Sequence, residues 1–279
     1  MCQSETPLFI VYSYASVIIL GLIVAFSIIF KNHRHPVNRN AFYFIVLIVL
    51  WTIGDLIQWE TTSPLVSYIF SRLSYLADFI FLFILYFAYG FVGEKLTGER
   101  KIIFALPLSL TILAVVGGFG VGAYDESTCL TNVSWYIYPS LSLGLVYSIW
   151  ASTVLFRKYN ASWAYYNTKS QVRLLIFAIM FSFLWSVAYE VVDIFNATKN
   201  LEIEISPYFI LGNLFFIVLI AFGIIEYNLF DFGVIPKKWF SFAIISVIFG
   251  GMFLLSLTPT FYFISLIFYA GIVWMFWKR

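Results

Sequence analysis

Five ionisable side chains stand within or at the ends of apolar stretches of this sequence, and they are its first candidates for chemistry. They are Asp55, Arg72, Asp78, Glu190 and Asp193. Charged groups are costly in hydrocarbon, so each is a functional-site hypothesis by default. A buried carboxylate takes a proton or finds a partner, and both states are used for sensing or ion coupling. The alternative is that these groups only hydrogen-bond between helices or reach interfacial water.

The motifs that carry catalysis or a cofactor are missing from the sequence. His33 and His35 share one polar loop, so no intramembrane histidine pair could hold a haem. There is no HExxH, P-loop or GxSxG motif, and no lysine inside an apolar run for a Schiff base. We therefore expect no enzyme activity, no metal and no cofactor. The net charge of +2 is too small to indicate a nucleic-acid partner.

The elements that position these residues are long apolar segments. The chain is 62% hydrophobic and 11% charged, with a mean hydropathy of +0.93, and about 20 apolar residues suffice to cross a bilayer as a helix. An all-α, polytopic membrane bundle with about nine transmembrane helices is predicted, with the lipid bilayer as its surroundings. The predicted spans are residues 7–30, 41–59, 68–92, 102–123, 137–156, 172–194, 206–225, 239–257 and 260–277.

The basic residues predict the orientation of these spans. With the N-terminus outside and the C-terminus cytoplasmic, every Lys and Arg except Arg72 and Lys199 falls on the inner side, as the positive-inside rule requires. We divide the chain into a seven-helix membrane domain, residues 1–236, and a C-terminal two-helix hairpin, residues 237–279. A multi-pass protein of the cell membrane is expected.

Polar residues crowd the outer half of the predicted bundle, with Asp78 near the midplane. Helical spacing places several of them on shared faces, which predicts an outward-facing polar cup for a small ligand. We also expect Arg72 to pair with a carboxylate as a bidentate clamp. The candidate ligand-binding residues are Trp51, Asp55, Gln58, Arg72, Tyr75, Asp78, Glu190, Asp193 and Asn213.

Three short stretches carry a resemblance to a known family. They are "LIVLWTIGDLIQW" (47–59), "SRLSYLADFIFLF" (71–83) and "LIAFGIIEYNLFDF" (219–232). With an outer N-terminus, they resemble the seven-transmembrane N-terminal sensor region of microbial histidine kinases over about residues 7–236. The resemblance implies a receptor or sensor module in which the last helix exits through a "Y-x-L-F-D-I" segment towards an output domain.

The resemblance gives the charged stretch after the seventh predicted span a role as an output linker. The residues concerned are Glu226, Tyr227, Leu229, Phe230, Asp231, Lys237 and Lys238. Two features depart from the family: Glu226 replaces a usual basic residue, and two further predicted spans follow instead of a kinase. Autokinase activity is therefore not expected, and a membrane or cytoplasmic signalling partner is implied. The alternative is an ordinary inner loop whose lysines set orientation.

Two other functions compete with sensing. A small-molecule or proton-coupled transporter would use Asp55, Asp78 and Glu190 for binding, but the sequence shows no internal repeat and no clear pair of broken helices. The residues that could break helices are Pro107 with Gly117, Gly118 and Gly120, and Gly250 with Gly251. A structural membrane subunit would use the same polar residues only to lock helices together.

Overall fold

The computed structural model describes residues 8–31, 33–61, 63–118, 124–125, 130–131, 136–161, 166–199 and 206–227. Within these ranges the chain is almost entirely helical. The helices are α1 Leu8–Lys31, α2 Pro36–Glu60, α3 Pro64–Ser74, α4 Asp78–Val92, α5 Gly98–Ala105, α6 Ser109–Gly117, α7 Ile137–Ala161, α8 Tyr166–Lys199 and α9 Ser206–Tyr227.

One short β pair lies in a connection between helices. β1 (Tyr124–Asp125) and β2 (Leu130–Thr131) are antiparallel, with Tyr124 opposite Thr131. They lie in the connection from α6 to α7. The end of the bundle that carries this connection is called the hairpin end below, and by prediction it faces outside.

The described helices account for the first seven predicted spans. Six of them are long and apolar enough to cross a membrane, and Ile210–Gly223 is a shorter apolar helix. Within the fourth predicted span, α6 ends at Gly117 because Gly118 takes a left-handed conformation (φ 74°); residues 119–123 lie outside the described residues. The eighth and ninth predicted spans lie outside the described residues, so the nine-helix count, the orientation and the division at residue 236 stay predictions.

Six helical segments form a closed ring. Going round it, α1 packs against α2, α2 against α4, α4 against α7, α7 against α8, α8 against α9, and α9 against α1. Close approach depends on small residues, as is usual in membranes. A Cβ on Gly21 of α1 would collide with Val49 of α2, and one on Gly212 of α9 would collide with Trp185 of α8.

Aromatic side chains fill the space enclosed by these six helices. Phe44 of α2 packs against Phe87 of α4 and Phe216 of α9, with ring centroids 5.7 and 6.0 Å apart. All three side chains are buried. Since lipid tails are as apolar as these rings, the helices are held by contact between well-packed atoms rather than by removal of apolar surface from water.

Two membrane segments are interrupted by 3₁₀ turns. Tyr75–Ala77 separates α3 from α4, and Leu106–Leu108, which contains Pro107, separates α5 from α6. The α5–α6 segment lies outside the ring of helices, where α6 packs against α3 and the Tyr75–Ala77 turn. These two turns are candidates for the broken-helix pair that the sequence did not show clearly. Proline accounts for the second break, since it donates no backbone hydrogen bond.

A candidate site around Asp78

Asp78 is the most enclosed acid among the described residues. It begins α4 directly after the 3₁₀ turn and is only 4% exposed. Its Oδ1 accepts a hydrogen bond from Ser140 Oγ at 2.6 Å, and its Oδ2 accepts one from Thr111 Oγ1 at 2.9 Å. Tyr136 Oη lies 3.1 Å from the same Oδ2. One carboxyl group thus joins α4 to α6 and to the start of α7, and we call these four residues the Asp78 cluster.

The hydroxyl protons in the Asp78 cluster can be assigned by counting donors. Each hydroxyl has one proton, and Thr111 uses its proton on Asp78, so it accepts from Tyr136 Oη at 2.6 Å. Burial raises the pKa of the Tyr136 hydroxyl above its ordinary value, so the hydroxyl keeps its proton and donates. Tyr75 packs edge-on against the Tyr136 ring at 4.9 Å. The predicted site residues Tyr75 and Asp78 therefore meet at Tyr136.

Arg72 does not make the expected carboxylate clamp among the described residues. Its guanidinium instead caps the end of α6: Nε donates to the Val115 carbonyl at 2.9 Å, and Nη2 donates to the Val116 carbonyl at 2.7 Å. The last carbonyls of a helix have no partner within it and carry partial negative charge, so a cation satisfies both needs. The Arg72 guanidinium also stacks over Tyr68, 5.4 Å from the ring centroid.

Two other predicted residues form separate polar contacts in the hairpin-end half of the bundle. Tyr14 of α1 donates a hydrogen bond to Asp55 Oδ2 on α2. Ser71 of α3 donates to Gln58 Oε1 on α2 at 2.6 Å. The described contacts therefore place Asp55, Gln58, Arg72 and Asp78 in four groups, each of which joins a different set of segments.

The remaining predicted residues are placed only in part. Trp51 and Asn213 are partly buried on α2 and α9. Glu190 and Asp193 lie on α8, and Glu226 and Tyr227 end α9, but the side chains of these four are outside the described part. Leu229, Phe230, Asp231, Lys237 and Lys238 lie beyond it entirely. Among the described residues, no three His, Cys, Asp or Glu side chains gather to hold a metal ion.

Sequence reasoning missed the hydroxyl residues that surround Asp78. Thr111, Tyr136 and Ser140 are separated from it by 33, 58 and 62 residues. The sequence feature that could have indicated them is a hydroxyl or phenol side chain in an apolar segment near the hairpin end. That signal is weak, since most serines and threonines of membrane helices bond to their own backbone.

The helical architecture gives the class of protein, and the comparison with known families gives the family. A bundle with six membrane-length apolar helices is a multi-pass helical protein of the cell membrane. The family described as the N-terminal 7TM region of histidine kinase matches residues 13–233. The chain belongs to this family, as its sequence resemblance indicated. No curated protein and no solved structure matches the chain.

Proposed function

We propose that the chain is a membrane sensor whose signal-responsive element is the Asp78 cluster. The family supports a sensor-region role. The observation that carries the proposal is a nearly fully buried carboxyl group that bonds to hydroxyls on two other segments at a break in its own span. A purely structural contact could be made by uncharged residues at lower cost, because burying a carboxyl group in lipid is unfavourable.

The Asp78 cluster has two hydrogen-bonded arrangements that differ in proton count. The ionised carboxylate accepts from both Ser140 and Thr111, whereas a protonated one must donate from one oxygen and can accept only on the other. One of these two hydroxyls would then have to turn, and the helix that carries it, α6 or α7, would shift with it. A small polar ligand that bonded to these groups would have the same effect. Either stimulus acts only through different affinity for the two arrangements.

The path to an output runs through the ring of helices. α7 packs against α8 and α8 packs against α9, and the Trp185 indole covers Gly212 so closely that α9 cannot slide freely past α8. A movement of α7 would therefore reach α9 and the segment Glu226–Lys238 that follows it. We propose that this segment passes the signal to a membrane or cytoplasmic partner, as the family resemblance implies.

The proposal is tested by thermal unfolding of the protein in nanodiscs across pH and against a panel of small polar molecules. A ligand that binds only the folded state at 100 times its Kd stabilises it by about 2.7 kcal/mol. We expect a stimulus that raises Tm in the wild type and has no effect on Asp78→Asn. Asp55→Asn is the matched control, because it makes the same chemical change in the Tyr14 pair. If every stimulus acts equally on both variants, the Asp78 cluster is not the sensing element.

The second candidate function is a small-molecule or proton-coupled transporter. The two interrupted segments favour it, since transporters use broken helices beside their midplane binding sites. Substrate uptake into proteoliposomes that depended on Asp78 would support transport over sensing. A third reading, a structural subunit, predicts that Asp78→Asn lowers Tm without altering any response.

A further inference from the structure

Two buried hydroxyls on α7 have no hydrogen-bond partner within the described part of the chain. They are Ser148 Oγ and Ser152 Oγ, and Ser148 is only 1% exposed. An unpaired hydroxyl in an apolar interior is unfavourable, because it gives up its hydrogen bonds to water and gains none in return. One such atom would be unusual, and two on consecutive turns of the same helix indicate a shared cause.

Three other helical serines and threonines of this bundle bond to their own helix. Thr52 and Thr153 donate to the carbonyl four residues earlier, each at 2.8 Å, and Ser186 does so at 3.0 Å. This back-bonding is open to any serine or threonine in a helix. Ser148 and Ser152 do not make this bond, and both hydroxyl oxygens are buried without a partner. Two such groups one turn apart fit a polar guest beside α7.

An aromatic ring separates these hydroxyls from the Asp78 cluster. Ser140, Gly144, Ser148 and Ser152 follow each other at four-residue spacing on α7. Gly144 lies under Phe81 of α4, where a Cβ would come within 3.1 Å of the ring. Phe81 also packs edge-on against Phe183 of α8, 6.4 Å away. At about 1.5 Å per residue, Ser148 lies about 12 Å along the helix from Ser140, on the other side of this ring.

We propose that Ser148 and Ser152 bind internal water in a polar compartment of their own, which the Phe81 ring separates from the Asp78 cluster. Water fits because it both donates and accepts, and buried waters satisfy otherwise unpaired polar groups in this way. A larger apolar guest would leave both hydroxyls unpaired. The inference does not depend on the sensor function, since it concerns groups that the Asp78 cluster does not contact.

Cysteine labelling tests the proposal in the full chain. Cys2 and Cys129 are first replaced by serine, and Ser148→Cys, Ser152→Cys and Val154→Cys are prepared separately in nanodiscs. Val154 is the matched control: it is 3% exposed and lies on the same stretch of α7, and helical spacing places it on a different face from both serines. A small, water-soluble methanethiosulfonate reagent reacts with the thiolate, which needs water to form.

We expect the Ser148→Cys and Ser152→Cys proteins to react at least about tenfold faster than the Val154→Cys control, as a difference of one unit in thiol pKa would produce. Adding Asp78→Asn to Ser148→Cys should leave the rate unchanged, because Phe81 separates the two polar groups. Rates as slow as that of folded Val154→Cys would overturn the water site. A rate that changed severalfold with Asp78→Asn would overturn the separation by Phe81.

Discussion

Replacing Thr111 with valine removes one hydroxyl from the Asp78 cluster while preserving side-chain shape. That hydroxyl donates to Asp78 at 2.9 Å and accepts from Tyr136 at 2.6 Å, so two interhelical bonds are lost. Such bonds contribute about 0.6 kcal/mol on average in membrane proteins, with a maximum near 1.7. We therefore expect Thr111→Val to lower the free energy of unfolding by about 1–2 kcal/mol.

Thr52→Val provides the matched control. Thr52 is also fully buried, but its hydroxyl bonds to the Ile48 carbonyl of its own helix. Because such back-bonding adds little to stability, the control should change stability by less than about 0.5 kcal/mol. The measurement is reversible unfolding in bicelles, with SDS as the denaturant.

A double-mutant cycle with Asp78→Asn then isolates the interaction. We expect a coupling energy of about 0.5–1.5 kcal/mol between positions 78 and 111, since residues that share a hydrogen-bond network are not additive. If Thr111→Val matches Thr52→Val and its effect simply adds to that of Asp78→Asn, the hydroxyl does not stabilise the carboxyl group, and the reasoning from the Asp78 cluster fails.

Two further predictions concern the contacts that hold neighbouring segments. Arg72→Gln should destabilise the protein by about 1–3 kcal/mol in the same unfolding assay, because the carbonyls at the end of α6 lose a charged donor. Arg72→Lys should restore only part of this stability, since a lysine cannot donate from two planar nitrogen atoms at once. Full restoration by lysine would show that the two-nitrogen geometry of the guanidinium is not needed. Gly212→Ala should destabilise by about 1–3 kcal/mol by colliding with Trp185, whereas Gly98→Ala meets open space and should be nearly neutral. Equal effects of the two glycine substitutions would refute the close α8–α9 contact.

The membrane helices could be predicted from the sequence because hydrocarbon imposes one strong rule. Every apolar run of about 20 residues must satisfy its own backbone as a helix, and the first seven predicted spans correspond to described helices. The interruption at Pro107 was detectable as well. The turn at Tyr75–Ala77 was not, since no glycine or proline marks it.

The candidate site was predictable in one residue and not in its surroundings. Asp78 stands out as a lone acid in an apolar run. Its partners depend on how α4, α6 and α7 are aligned, which no local pattern encodes. Arg72 shows a different limit of sequence reasoning. Its positive charge suggested a carboxylate partner, but its partners are backbone carbonyls of partial negative charge at the end of α6, which Gly118 caps.

Amide hydrogen exchange in nanodiscs tests most directly whether the Asp78 cluster communicates with the output end. Exchange reports local opening along the chain, and it can be followed separately in the two 3₁₀ turns and in α9. We predict that Asp78→Asn changes exchange in both turns and also in α9, whereas the control Thr52→Val, which removes a hydroxyl bonded only within its own helix, leaves α9 unchanged. If the effect of Asp78→Asn stays confined to α4, α6 and α7, the Asp78 cluster only holds these segments together, and the sensor account is contradicted.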